Sequence, residues 1–114
     1  MAKSRIPDPL ARRHLIEREL DPSRALRIAE AYLEEGRAFE AAQFLQKAGA
    51  SERLEALWTE ALRSGDAFLL RTLAGLTGRE PTRDEWRALA EAAAAEGKER
   101  YAVEARRQVE RGED

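Results

Sequence analysis

The side chains that most often act in catalysis or metal binding are sparse in this sequence of 114 residues. His14 is the one histidine, and neither a second histidine nor a cysteine exists to complete a metal site or a catalytic pair. Glu34 and Glu35 are consecutive, so on a helix they point about 100° apart and do not form an acid–base pair. We therefore interpret His14 as a solvated surface residue and the two glutamates as a solvated helix end.

Motifs that carry a reaction mechanism are also missing. The sequence has no glycine-rich phosphate loop, no Gly-x-Ser-x-Gly nucleophile and no paired-histidine motif. The absence of cysteine excludes disulfides, thiol catalysis and thiolate metal sites, and it agrees with a reducing cytosol. We expect no catalytic residue, no metal and no cofactor, and hence a protein that is not an enzyme.

The charge balance disfavours nucleic acid as a partner. The 20 basic and 22 acidic residues give a net charge of -2, whereas proteins that neutralise phosphates usually carry a basic excess. Arginine outnumbers lysine 17 to 3, which indicates a GC-rich, bacterial-like composition. The one local imbalance comprises Lys3, Arg5, Arg12 and Arg13. We interpret it as a charged terminus, with contact to RNA or an acidic partner as the open alternative.

No segment of the sequence resembles a signal peptide or a membrane span. The first residues lack an apolar core, and every apolar run falls short of the roughly 20 residues that cross a bilayer. We expect a cytoplasmic protein without membrane contact.

The amino-acid composition is typical of a helical protein. Only two Val, three Ile and four Thr are available for strands, while Ala, Leu, Glu and Arg dominate, so the sequence predicts an all-α fold. Helix starts are indicated by Asp8-Pro9, Asp21-Pro22, Ser51, Asp66 and the Thr82–Glu85 capping box. Together with glycine stops they predict seven helices, at residues 8–20, 22–35, 38–47, 51–64, 66 to 75 or 78, 82–97 and 98–111.

Three apolar helical runs each end at a glycine, namely Gly36, Gly65 and Gly97. Alignment on these glycines places Ile28, Leu57 and Leu89 in one column and Ala25, Leu54 and Trp86 in another. A period of about 30 residues is typical of stacked helical hairpins. We predict a single domain, 1–114, with an N-terminal helix (8–20) and three antiparallel hairpins (22–48, 51–78 and 82–111).

The expected core follows from the helical periodicity. In the first helix, Leu10, Ala11, Leu15, Ile16 and Leu20 should face inward. The fifth helix is apolar around most of its circumference, which predicts cover on several sides; its apolar residues are Phe68, Leu69, Leu70, Leu73, Ala74 and Leu76. Phe39 and Phe44 cannot share one face of their helix, so one of them is a candidate exposed anchor.

The first hairpin resembles a tetratricopeptide repeat, and the resemblance extends weakly over residues 22–111. The spacings that match are those of Ala25, Ile28-Ala29, Tyr32, Gly36, Ala38, Ala41, Leu45 and Ala48. Three features depart from the family. The glycine intervals are 29 and 32 rather than a constant 34, the closing proline is missing from every repeat, and Trp58 stands where a small residue is usual.

The resemblance implies a right-handed superhelix whose groove is lined by the first helix of each hairpin. We expect the matching positions to bind a peptide or helix, and a basic or amphipathic partner fits their charges. The function implied is that of an adaptor or co-chaperone-like scaffold. The alternatives are a nucleic-acid-associated or regulatory protein that uses the Arg-rich ends, and a structural homo-oligomer such as a homodimer. The groove positions are Leu26, Glu30, Leu33, Glu34, Glu55, Leu62, Arg63, Arg87 and Glu91.

Overall fold

The computed structural model describes residues 6–17 and 20–111, and over these residues the chain forms seven α-helices and no strand. This confirms the all-α fold and the number of helices. Two compact units, Met1–Leu54 and Glu55–Asp114, divide the chain, with the boundary inside α4. The helices are α1 (Pro9–Glu17), α2 (Pro22–Glu34), α3 (Ala38–Ala48), α4 (Ser51–Ser64), α5 (Ala67–Thr77), α6 (Arg83–Ala95) and α7 (Glu99–Arg111).

In the first unit, α2 and α3 pack along each other as the predicted hairpin, and α1 contacts α3. The rings of Tyr32 and Phe44 stack at the centre of this hairpin, with their centroids 5.7 Å apart, and neither ring is exposed. Small residues allow the two helices to approach closely around these rings. The buried small residues are Ala25, Ala29, Ala31, Ala41 and Ala42.

In the second unit, α6 and α7 form the predicted hairpin and α5 packs against α7. The side of α7 that faces this packing is made of two buried alanines, Ala102 and Ala105. The remaining core of the unit comes from the large apolar residues of the other helices. They are Leu57, Trp58, Leu69, Leu70, Leu73, Trp86 and Leu89.

The three repeated glycines end their helices in the same way. At each one, the glycine N–H donates to the carbonyl three residues earlier, and the following N–H donates to the carbonyl five residues earlier. This is the Schellman arrangement, which needs a left-handed residue at the glycine position. The φ angles are 72°, 71° and 74° at Gly36, Gly65 and Gly97. The three glycines therefore end their helices in the same local cap.

Most of the predicted helix caps are confirmed. Asp8, Asp21, Asp66 and Thr82 each accept a hydrogen bond from the backbone N–H three residues later, at 2.8–3.1 Å. Ser51 was predicted to cap α4, and this prediction is wrong. Ser51 is itself helical, because the carbonyl of the preceding residue already accepts from a helical N–H.

The first helix is shorter than predicted. It runs to Glu17, residues 18 and 19 lie outside the described residues, and Leu20 is not helical. Asp21 cannot extend α1, because Pro22 disfavours helical backbone at the residue before it. Asp21 caps α2 instead.

Two residues predicted to be covered are exposed. Leu10 is 67% exposed, since it lies about 140° around α1 from the half-buried Leu15. Phe68 is 44% exposed because α5 buries only the opposite face. Of the pair Phe39 and Phe44, Phe44 is buried and Phe39 is exposed, which confirms that they face different ways.

Candidate interaction surfaces

The predicted groove residues lie on three helices and belong to both units. In the first unit, Leu26, Glu30 and Leu33 share one face of α2 and are half-buried. The other predicted positions are exposed except for Leu62, which is half-buried in α4. They are Glu34 on α2, Glu55 and Arg63 on α4, and Arg87 and Glu91 on α6.

Four of the charged groove residues, two glutamates and two arginines, are held in ion pairs within their own unit, so the pairing leaves the net charge of the groove positions unchanged. Opposite charges at such distances largely cancel each other's field beyond a Debye length. The hydrogen bonds from Arg63 lower the pKa of Glu60 below its ordinary value. The pairs are Glu30 with Arg53 (3.0 Å), Glu55 with Arg79 (2.7 Å), Arg63 with Glu60 (2.6 Å) and Arg87 with Asp84 (2.9 Å).

A cleft of about 360 Å³ opens in the first unit beside the predicted groove residue Glu30. We refer to it as the α1–α2 cleft. Its apolar surface comes from Ile6, Pro7, Leu15 and Ile28, and its charged surface from Arg24, Arg27 and Glu30. Because Glu30 is paired with Arg53, the excess charge around this cleft is positive.

A second cleft, of about 440 Å³, lies in the second unit. We refer to it as the arginine cleft. Arginines from three different helices contribute to it, and no local pattern predicts that they converge, because they are 12 and 28 residues apart in the chain. Its lining residues are Arg71, Ala74, Glu80, Pro81, Arg83, Trp86, Gln108 and Arg111.

A polar cluster holds the α5–α6 connection against α4 in the second unit. The Trp58 indole N–H donates to Glu85 at 2.7 Å, and the Arg79 guanidinium lies 3.9 Å from the Trp58 ring centroid. Arg79 also donates to Glu55 at 2.7 Å and to Glu85 at 3.0 Å. The cluster fills the hydrogen-bonding capacity of Glu85 and explains how a tryptophan is accommodated at position 58.

The pKa of Glu85 lies below its ordinary value of 4.5. Burial alone raises it, but hydrogen bonds from the Thr82 backbone and the Trp58 indole favour the carboxylate and outweigh burial. The positive charge of Arg79 acts in the same direction.

The residues first considered for chemistry are not brought together. His14 is exposed in the last turn of α1. Within residues 6–17 and 20–111, no group of three or more His, Asp or Glu side chains is placed to hold a metal ion. A search of the same residues finds no helix with the length and apolar character needed to cross a membrane.

Comparison with protein-family models, with curated proteins and with solved structures returns no match to this chain. The assignment of a function therefore depends on the surfaces described above.

Proposed function

We propose that this chain is a protein-interaction module of stacked helical hairpins, similar to tetratricopeptide repeats, that binds a peptide or helix of another protein. The observation that carries the proposal is the α1–α2 cleft, an apolar depression bordered by arginines at the edge of the α2 face that carries Leu26 and Leu33. A depression of this kind can hold an apolar anchor residue of a partner. The arginines beside it can contact polar residues that flank the anchor in the partner's sequence.

The packing of the second unit supports the stacked-hairpin architecture. Gly65, at the end of α4, lies against Ala92 and Ala93 of α6, and α5 packs on α7. The first helix of one hairpin thus meets the first helix of the next, and the second meets the second. A stacked array requires this pairing, because each repeat contacts its neighbours.

The charges around the α1–α2 cleft favour an amphipathic partner with acidic flanks. Arg24 and Arg27 are exposed one turn apart, and Glu30 is neutralised by Arg53. A basic partner would meet these two arginines, and like charges across an interface are costly. An acidic amphipathic segment would place its apolar side on Leu15 and its carboxylates near the arginines.

The test is quantitative capture of partners from the source cells with matched variants. Arg24→Glu with Arg27→Glu, and separately Leu33→Glu, should each deplete the same partner at least about tenfold, the effect of losing roughly 1.4 kcal/mol. Arg106→Glu with Arg107→Glu, at two exposed positions of α7, is the charge-matched control for the double variant and should retain it. Circular dichroism checks that every variant is folded. The assignment is contradicted if the same partner is captured by both the double-arginine variant and Leu33→Glu, or if the control variant depletes it equally.

The two alternative functions are separated by simpler measurements. Arg12 is paired with Glu40 at 3.6 Å, and Lys3 and Arg5 lie outside the described residues. Salt-sensitive retention on RNA would favour the nucleic-acid alternative over an interaction module. Sedimentation as a stable dimer at micromolar concentration, abolished by Leu33→Glu, would favour the structural homo-oligomer.

A further inference from the structure

The first helix is the least buried of α1, α2 and α3. None of residues 9–16 in α1 is fully buried, whereas α2 and α3 each bury four or more residues. The Arg12 guanidinium lies 3.6 Å from the Glu40 carboxylate, which is also paired with Arg37 at 3.1 Å. With nine residues, α1 is shorter than the roughly 12–15 residues that an isolated helix needs in water, so its structure depends on this packing.

The same helix forms one wall of the α1–α2 cleft. Leu15 of α1 contributes to that wall together with Ile6 and Pro7, which precede the helix, and Ile28 belongs to the wall formed by α2. The helix packs against α3 rather than along α2, which leaves the space between α1 and α2 open. The width of the cleft therefore depends on where α1 lies.

We propose that α1 is a movable wall of this cleft, and that its packing against the hairpin of α2 and α3 is coupled to occupation of the cleft. The inference rests on the proposed function, since the occupant is the acidic amphipathic segment proposed above. An apolar side chain placed between Leu15 and Ile28 adds contacts that α1 lacks in the free chain. Binding therefore favours the docked position of α1, and by linkage a docked α1 favours binding.

The positive charges that hold the acidic flank of the occupant belong to α2. Arg24 and Arg27 form no ion pair with any side chain that the structure describes, and Glu30 is neutralised by Arg53. The carboxylates of the occupant are thus bound by the hairpin, while α1 closes on its apolar side chain. An amphiphilic anion should therefore stabilise α1, and a cation with the same apolar chain should not.

The first measurement is native-state hydrogen exchange of the full chain by NMR, which needs no ligand. Amides of α1, such as the Arg12 N–H bonded to the Asp8 carbonyl, should exchange at least about a hundredfold faster than the amide of the buried Tyr32 in α2. Asp8→Ala removes the cap of α1 and should speed exchange in α1 about a further fivefold. The matched control, Asp66→Ala, removes the equivalent cap of α5 and should leave exchange in α1 unchanged.

The second measurement repeats the exchange experiment with octanoate as the probe, because octanoate joins an apolar chain to one carboxylate. It should shift the methyl signals of Leu15 and Ile28 and slow exchange in α1 at least about fivefold. Octyltrimethylammonium, the matched cation, should do neither. Arg24→Glu with Arg27→Glu should abolish the effect of octanoate, because the cleft then carries the charge of the probe.

Arg106→Glu with Arg107→Glu on α7 is the charge-matched control and should respond to octanoate like the parent chain. Four results would overturn the proposal. They are exchange in free α1 as slow as in α2, octanoate binding at Leu15 and Ile28 without slower exchange in α1, equal slowing by the cation, and no octanoate binding at the cleft. Capture of the partner is measured separately, so a failure of this coupling is distinguishable from a failure of the proposed function.

Discussion

Gly65 should be the least replaceable of the three repeated glycines, although all three look equivalent in sequence. Gly36, Gly65 and Gly97 share a left-handed φ between 71° and 74°. At Gly36 and Gly97, an added Cβ meets no atom of the described residues within 4 Å. At Gly65 it would lie closer than 3.0 Å to backbone atoms of Ala92 and Ala93 in α6. Replacement by alanine therefore separates backbone strain from steric overlap.

The expected magnitudes follow from these two contributions. Left-handed strain for a residue with a Cβ is about 1–2 kcal/mol and applies equally at all three positions. At Gly65, the 2.9 Å approach to the carbonyl carbon of Ala92 is about 0.5 Å shorter than ordinary contact, which begins at 3.4 Å. Because the obstructing atoms are backbone, α4 and α6 must separate, and overpacking of this kind costs about 1–3 kcal/mol more.

Urea and thermal unfolding of the three alanine variants measure this difference. Gly36→Ala and Gly97→Ala should lose about 1–2 kcal/mol each, and Gly65→Ala about 2–5 kcal/mol. At roughly 4 °C per kcal/mol, Gly65→Ala should unfold some 4–12 °C below the other two. Equal stability of the three variants would refute the close approach of α4 to α6 at Gly65.

Three further substitutions test individual contacts. Because the pKa of Glu85 is lowered in the folded chain, its contribution is present above pH 4.5 and is lost as the pH falls through the folded value. The free energy of unfolding should therefore decline more steeply in acid for the parent chain than for Glu85→Gln, and parallel pH profiles would contradict the Trp58–Glu85 bond. Lys98 donates to the Ser64 carbonyl at 2.6 Å at the end of α4, so Lys98→Met should cost about 1 kcal/mol in chemical denaturation; no change would show that this bond is not formed in solution. The Tyr32 hydroxyl is buried without a hydrogen-bond partner among the described residues, so Tyr32→Phe should leave stability unchanged or raise it by about 1 kcal/mol; a loss would reveal a partner.

Local signals in the sequence were sufficient to predict the helices. An aspartate before a proline and a Thr-x-x-Glu box act through hydrogen bonds three residues away, so they can be recognised without knowledge of the tertiary fold. The six positions in the two columns aligned on the glycines are all buried, so the spacing of apolar residues along each helix indicated its buried face. Exposure of Phe68 could not be predicted in this way, since composition shows that a helix is apolar but not which side its neighbours cover.

The candidate interaction surfaces depend on contacts between residues distant in sequence, and local sequence patterns do not predict such contacts. Glu30 and Glu55 are paired with Arg53 and Arg79, which lie 23 and 24 residues away in the sequence, so no local pattern predicts these ion pairs. The arginine cleft combines residues of three helices, and no periodicity along one helix predicts it. The groove positions themselves stay a prediction, which the capture experiment addresses.

Trp58 and the longer connection after α5 are linked by shared contacts. The interval from Gly65 to Gly97 exceeds the preceding one by three residues, and the connection after α5 spans residues 78–82, whereas the one after α3 spans 49–50. The longer connection contains Arg79, whose guanidinium covers the ring of Trp58, and Thr82, which orients Glu85 to accept the indole N–H. A small residue at position 58 would remove both the ring that Arg79 covers and the indole N–H that Glu85 accepts. The large side chain at position 58 and the residues of the longer connection therefore depend on each other for these contacts.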